Sequence, residues 1–472
     1  MSDTRTKTVI IGGGITGLSA AYYLQKEIKE KGLPIDTMLV EESPRLGGKV
    51  QTFTKDGFII ERGPDSYLAR KKSMSRLVEE MGMQDRLVNN STGKSYVLVD
   101  GKLHSMPEGS FMGIPTKIMP FAFSGMFSWP GKFRAAGDFI LPRSEAEGDQ
   151  SLGQFFRRRF GDDVVENLIE PLLSGIYAGD LDNMSLMATF PNFYRLEQEY
   201  RSLILGIKKT MPAPKNKSAT SGKKGMFLTV DSGLESLVEA VEEKLEEGTV
   251  RKNTKVTRIV KTDQGYELKL DNRETITADS IIIAAPHQAV HGMMPEYSFF
   301  EPLKNVPSTS VATVAMAFPA SAVKQDIDGT GFVVSRNSDF RITACTWTHK
   351  KWPHTTPKDK VLLRCYVGRP TDESIVDQSD EVISQTVLND LNKIMDITDE
   401  PEFSIVTRWK DAMPQYTVGH LERLGHIKNE MGEKLPGIFL AGGSYEGVGL
   451  PDCIDQGEEA VRKVISFFDP DK

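Results

Sequence analysis

The apolar positions of this chain switch between two periods, and the switches outline its elements. Residues 7–11 form a short apolar run that reads as a buried parallel strand. Apolar residues then recur at helical spacing over 15–31, and 35–42 (IDTMLVEE) read as a second strand ending in acids. Together these make a βαβ unit. Helical spacing returns at 71–87 through Met74, Leu77, Val78 and Met81. Residues 95–106 carry a hairpin signal at Asp100-Gly101. From about 110 to 207 the pattern is mainly helical, with Arg157, Arg158 and Arg159 adjacent in an amphipathic stretch.

The second half opens with a turn and a strong helix within 228–247. A β-meander over 249–286 follows and ends in a buried strand at 280–285. Residues 305–367 alternate and are rich in β-branched side chains, which predicts an antiparallel sheet. Residues 380–396 read as a helix. The chain closes with a strand, a glycine-rich turn and a helix from about Gly449 to Phe468. The expected fold class is therefore α/β: a discontinuous Rossmann-like nucleotide-binding domain carrying two insertions. We assign 1–75, 226–292 and 405–472 to the nucleotide-binding domain, 76–225 to a mainly helical domain, and 293–404 to a substrate-binding antiparallel sheet.

Composition sharpens this only modestly. A chain of 472 residues has room for two or three domains. A net charge of −7 argues against nucleic acid as a main partner. Cys345, Cys365 and Cys453 lack disulfide-framework or metal-ligand spacing, and the histidines form no H-E-x-x-H, so we expect no metal and a reducing, cytoplasmic setting. No apolar run is long enough to span a bilayer. Residues 118–131 (IMPFAFSGMFSWPG) are uncharged but broken by Pro120 and Pro130; they read either as a buried core or substrate-side segment or as a membrane-surface or hydrophobic-ligand face. Residues 208–225 carry six lysines and little apolar content, and read as a solvated loop.

The chemistry begins at Gly12-Gly13-Gly14-Ile15-Thr16-Gly17, which fits G-x-G-x-x-G between the first strand and helix. The first glycine permits a tight turn, the second lets backbone approach a pyrophosphate, and the third lets helix pack on strand. Glu41 closes the second strand, 24 residues past Gly17, where a carboxylate can accept from ribose hydroxyls; Glu42 is the neighbouring candidate. This unit serves NAD and FAD alike. Later features favour FAD: Arg45-Leu46-Gly47-Gly48-Lys49, with adjacent glycines and a cation; the turn Gly63-Pro64-Asp65-Ser66; Val256, in a strand after the central helix; and the terminal Val448-Gly449-Leu450, a helix start whose N–H groups can stabilise negative charge.

The set R-x-G-G-[RK], G-P-[ND]-S and the terminal glycine-rich strand–turn–helix resembles the amine-oxidase-like flavoproteins. The stretch Arg408 to His420 (RWKDAMPQYTVGH) resembles the porphyrinogen oxidases of haem synthesis, and the likeness runs over nearly the whole chain. The soluble bacterial form acting on coproporphyrinogen III is the nearest likeness. Lys49 departs from the arginine of many members. The resemblance implies non-covalent FAD contacts at Gly12, Gly13, Gly14, Ile15, Thr16, Gly17, Glu41, Glu42, Lys49, Gly63, Pro64, Asp65, Ser66, Val256, Trp409, Val448, Gly449 and Leu450. It further implies that O2 takes the electrons of a six-electron oxidation and releases three H2O2, and that haem-pathway enzymes are partners.

For the substrate, Lys71 is the candidate cation for propionates, against a plain solvated helix start, and Tyr366 a candidate flanking ring, against core packing. No catalytic acid–base set is expected, because the cofactor carries the chemistry. His287 reads as a structural loop histidine, and the GLPDC context of Cys453 argues against a flavin thioether. No second G-x-G-x-x-G exists for a pyridine nucleotide. Protoporphyrinogen IX is the alternative substrate, and another flavin oxidase of the superfamily the alternative function. Peripheral membrane contact stays open.

Overall fold

The structure is a computed structural model that describes residues 5–145, 148–210, 225–325 and 327–469. Most of the lysine-rich 208–225 stretch lies outside the described residues. A five-stranded sheet runs in the order Val250–Arg251, Ile35–Val40, Thr6–Ile11, Ser280–Ile283, Ile438–Leu440, all in parallel. Thr6–Ile11 is its centre, with Val9 facing Met38 on one side and Ile281 on the other. Successive strand residues point to opposite faces. Ile10, Leu39 and Ile282 therefore pack under the helices Ile15–Lys31 and Leu450–Phe468. Val9, Ile11 and Ile281 pack instead against the predicted meander, whose antiparallel strands are Val256–Thr262, Gly265–Leu270 and Thr275–Ala278.

The second sheet has seven strands in the order Phe403–Pro414, Ser308–Pro319, Lys360–Val367, Ile342–Trp347, Gly331–Val334, Tyr96–Val99, Lys102–Ser105. It takes in two segments that local patterning placed elsewhere. The hairpin at Asp100-Gly101 forms as read, with both turn residues at positive φ, but it extends this sheet rather than the helical layer. Residues 403–414, of which 405 onward were assigned to the nucleotide-binding domain, pair with Ser308–Pro319. A strand's partners are chosen by long-range register, to which a local period is blind. The predicted helix, Asp380–Met395, covers one face with Ile383, Val387 and Leu391. The helix His420–Lys434 was not foreseen.

The helical layer packs around Phe155, Phe156, Phe160 and Phe193. Residues 118–131 divide between buried and exposed side chains. Phe121, Met126 and Phe127 are buried, whereas Ile118, Met119, Phe123 and Trp129 are exposed and are joined by Phe133 and Ile140. No helix among the described residues is long and apolar enough to cross a membrane.

The three adjacent arginines divide as well. Arg157 pairs with Asp162 at 2.9 Å and also with Asp182. Arg158 reaches Glu197 at 3.0 Å. Arg159 is fully buried: Nε donates to Glu197 at 2.9 Å, Nη2 to the Pro142 carbonyl at 2.8 Å, and Nη1 to Asp138 at 3.4 Å. Asp138 in turn accepts from the Ser202 hydroxyl at 2.6 Å and the Ile204 N–H at 3.0 Å. Removing one member of such a knot strands a buried charge. Arg159→Met should therefore lower stability by about 3–5 kcal/mol in urea titrations followed by circular dichroism. Arg462→Met, at an exposed helical pair, should change it by less than about 1 kcal/mol.

Candidate functional site

The glycine turn is built by close approach. Gly12 takes a φ of +101° and donates its N–H to the Val40 carbonyl at 2.8 Å. A Cβ on Gly17 would lie 1.9 Å from the Gly12 carbonyl oxygen, so only glycine lets the helix sit there. Gly14 is the N-cap of Ile15–Lys31 and provides no side-chain cap. A Cβ built on Gly14 meets nothing within 4 Å. Open space therefore lies beside an uncapped helix start, an arrangement that suits an anion. The Ile15 and Thr16 side chains themselves are buried.

Glu41 is fixed beside this turn. Its Oε2 accepts the Gly13 N–H at 2.5 Å, and its Oε1 accepts the Ser43 N–H at 2.9 Å and hydroxyl at 2.6 Å. Glu42 points away, exposed and paired with Lys255 at 3.1 Å. Val256 buries its side chain in the core beneath the sheet, just after Thr254, whose N–H donates to the Glu41 carbonyl at 2.9 Å.

The Arg45–Lys49 loop docks directly on the turn: the Gly47 N–H donates to the Gly13 carbonyl at 2.8 Å. Gly47 and Gly48 both have positive φ. Arg45 braces the loop from within, donating to the Gly48 carbonyl at 2.9 Å and pairing with Glu235 at 2.9 Å. Lys49 donates to the Ala412 carbonyl. Its side chain is exposed, and desolvation by the protein around it lowers its pKa.

The Gly63–Ser66 turn lies between this loop and the seven-stranded sheet. A Cβ on Gly63 would lie 1.8 Å from the Lys49 carbonyl oxygen and 3.6 Å from Trp409. The Trp409 indole N–H and the Thr313 hydroxyl both donate to the Arg62 carbonyl at 3.0 Å. Arg364 donates to the Gly63 carbonyl. Asp65 takes Lys351 at 2.7 Å, the Trp352 indole at 3.3 Å and the Ser66 hydroxyl at 2.7 Å. Burial would raise Asp65, but Lys351 and Arg364 outweigh it and hold the carboxyl well below the usual range.

The end of the chain supplies a second uncapped helix. Gly449 starts Leu450–Phe468 without a side-chain cap, with Pro451 in its first turn. Gln456 secures the preceding loop, accepting the Gly442 N–H at 2.9 Å and donating to the Gly447 carbonyl at 3.2 Å. Residues after Trp409 brace the same loop. The Tyr416 hydroxyl donates to the Gly443 carbonyl at 2.7 Å, and His420 stacks on Tyr416 and contacts the Tyr445 carbonyl at 2.7 Å. His287 lies between Ser444 and the Val306 carbonyl, and burial lowers its pKa. Cys453 is buried and its thiol pushed up by that burial.

Lys71 pairs with Asp452, in the first turn of the terminal helix, and so lies beside Val448–Leu450. Tyr366 is half-buried on the seven-stranded sheet, its hydroxyl 2.9 Å from Arg364. Sequence reasoning missed Arg364, Lys351, Asp452, Gln415, Tyr416 and Gln456. The first two sit in β-rich or lysine-rich stretches with no motif of their own. Gln415, Tyr416 and His420 had a signal in their motif, but nothing there disclosed a bracing role.

The Flavin containing amine oxidoreductase family matches residues 15–465. A Bacillus subtilis (strain 168) protein named coproporphyrinogen III oxidase is 58% identical, over 99% of this chain and 100% of its own. A Staphylococcus aureus protein of the same name is 43% identical, over 98% and 99%. A solved Exiguobacterium sp. 255-15 chain is 41% identical with a TM-score of 0.87, covering 98% of this chain and 99% of that one. A UDP-galactopyranose mutase, 16% identical with a TM-score of 0.73 over 98% and 96%, shares the fold. By sequence, fold and the arrangement of its glycine turns, the chain belongs to the flavin containing amine oxidoreductase family.

Proposed function

We propose that this protein binds FAD non-covalently and oxidises coproporphyrinogen III to coproporphyrin III in haem synthesis, consuming three O2 and releasing three H2O2. The observation that carries the reading is full-length 58% identity to a relative named for that activity; the plant relatives named protoporphyrinogen oxidase are near 29%. In this reading the parallel sheet and its helices form the FAD-binding domain, assembled from three separated stretches, and the seven-stranded sheet forms the substrate domain.

The residues fit the group. Two uncapped helix starts, at Gly14 and Gly449, offer N–H donors, and Gly14 faces open space. Glu41 stands where a ribose hydroxyl would need an acceptor, and Lys49 contributes a cation beside the glycine turns. The flavin, when bound, supplies two-electron oxidation and is returned by O2. The chain's own work is to orient and to exclude water. Trp409, Thr313 and Arg364 fix the Gly63–Ser66 turn, and Gln456, Tyr416 and His420 fix the terminal loop. His287 and His420 have lowered pKa values and are held neutral as braces.

Side-by-side turnover with coproporphyrinogen III and protoporphyrinogen IX tests the substrate. Porphyrin fluorescence and peroxide should rise in a one-to-three ratio, with kcat/KM for the tetracarboxylate at least about tenfold higher. Turnover of protoporphyrinogen alone, or of amines alone, would refute the reading. Gly14→Ala tests the cofactor: its φ of −65° suits alanine, so the variant should melt like the apo wild type yet purify without flavin absorbance. Gly17→Ala should fail to fold, since its Cβ meets backbone.

Peripheral membrane contact belongs to the same reading and rests on the exposed Ile118, Met119, Phe123, Trp129, Phe133 and Ile140, with Lys132 stacked on Trp129 at 4.5 Å. Co-sedimentation with phosphatidylglycerol vesicles should be clear for the wild type and lost in Trp129→Ser/Phe133→Ser. Equal binding by both would remove this face from the reading.

A further inference from the structure

A small, partly open cavity lies beside the Gly63–Ser66 turn, between Phe58–Glu61, a strand paired with Thr52–Lys55, and the seven-stranded sheet. Glu61, Asp65, Thr229, Thr348, Thr355 and Arg364 supply its polar lining, and mainly apolar residues the rest. Two buried polar atoms of these residues have no hydrogen-bond partner: Arg364 Nε and the Thr348 hydroxyl. Stranded buried donors are costly and are ordinarily met by an internal water where the space is polar. Arg364 is 3% exposed, and its other two nitrogens are committed, one to the Gly63 carbonyl and one to the Tyr366 hydroxyl at 2.9 Å. A guanidinium fixes direction through all its donors at once, so satisfying Nε governs how rigidly Gly63 is held.

Glu61 completes the cavity. Its carboxylate accepts the Leu234 N–H at 2.6 Å and the Thr52 hydroxyl at 2.9 Å. The charged groups acting on it are Arg364, which favours its anion, and Asp65, which opposes it. Lys351 neutralises Asp65. Beyond Thr52 lies Glu235, already paired with Arg45. With Glu61 ionised, Glu61, Asp65, Lys351 and Arg364 sum to zero charge; with Glu61 neutral, one buried positive charge remains.

We propose that this cavity is a water site joining Glu61, Thr348 and Arg364 Nε, and that Glu61 and Arg364 are positioning residues that set the hold on the Gly63–Ser66 turn, and with it flavin affinity, according to the charge of Glu61. The flavin part rests on the function proposed above. Burial is the larger influence on Glu61 and raises its pKa to about 7, so the charge changes near neutrality. The folded state holds this proton more tightly than the unfolded chain. The carboxyl's contribution to stability therefore falls as pH rises from its ordinary range to about 7, then levels.

The test uses the holoenzyme and three variants, Glu61→Gln, Thr348→Val and Arg364→Met, with Arg364→Lys in reserve should the methionine variant not fold. Flavin absorbance and the FAD dissociation constant are followed from pH 5.5 to 8.5, and thermal unfolding of the apoprotein over the same range. In the wild type both readouts should show a transition near neutrality that is absent in Glu61→Gln. Thr348→Val should move it upward, because the water loses a partner. Loss of the Arg364 fork should weaken FAD binding by at least about tenfold, at fixed pH, without abolishing the folded apoprotein. A high-resolution structure should show water in the cavity. A transition that persists in Glu61→Gln, an unchanged FAD constant in both Arg364 variants, or a dry cavity would overturn the proposal. A wild type that never retains FAD would refute the cofactor reading instead, while the apoprotein transition would still decide the role of Glu61.

Discussion

The arrangement depends on one steric constraint: the first helix must reach van der Waals contact with the Gly12 carbonyl. Gly17 allows this, since a Cβ there would overlap the oxygen. The same helix then receives the terminal helix through a second close approach. A Cβ on Gly457 would lie 2.6 Å from the Ser19 hydroxyl and 2.7 Å from the Thr16 carbonyl oxygen. Two glycines thus place one helix against the turn and another against that helix. The uncapped starts at Gly14 and Gly449, more than 400 residues apart in sequence, are carried by helices packed on each other. Their dipoles favour negative charge at both starts. Without the glycines the helices would stand off by the size of a methyl group.

A second consequence concerns the motif that carries the likeness to porphyrinogen oxidases. Nothing in its side chains, read locally, suggests a scaffold. In the fold Trp409 secures the Gly63 turn from one end, while Gln415, Tyr416 and His420 secure the Tyr177 carbonyl and the terminal loop from the other. One strand and the turn after it therefore tie the seven-stranded sheet, the helical layer and the loop before Gly449 together. Each bond runs from a side chain to a backbone carbonyl, so loss of the side chain frees a loop without unravelling a sheet.

Legibility in the sequence followed the range of the forces. The βαβ unit, the Asp100-Gly101 turn, the 380–396 helix and the terminal strand–turn–helix were readable, because period and glycine placement act within a few residues. The spacing from Gly17 pointed to two adjacent acids, and only the strand's end separates them: Glu41 turns to Gly13, and Glu42 to Lys255. Membership of the seven-stranded sheet was not legible for 96–105 or 403–414, since their partners lie far along the chain. Arg364 was invisible for a related reason. Within an apolar, alternating strand it resembles a single exposed residue, and only the neighbouring turn shows that it is 3% exposed and committed to a backbone carbonyl.

The Lys71–Asp452 pair is held only weakly. Both side chains are about one-third exposed, 38% and 30%, so solvent screens the pair and its net stabilisation is about 0–1 kcal/mol. Asp452 has a second source of stabilisation in its place at the first turn of the terminal helix, where the backbone dipole favours a carboxylate. Separating the pair therefore leaves Asp452 partly compensated and releases Lys71 next to the Val448–Leu450 turn. An incoming carboxylate competes with a weak, screened partner rather than with a buried ion pair. The buried Arg159–Glu197 pair, fully enclosed and several-fold bonded, could not exchange partners in this way. The chain thus combines ion pairs that are fully or largely buried, such as Arg159–Glu197 and Asp65–Lys351, with a weaker, screened one at the start of the terminal helix.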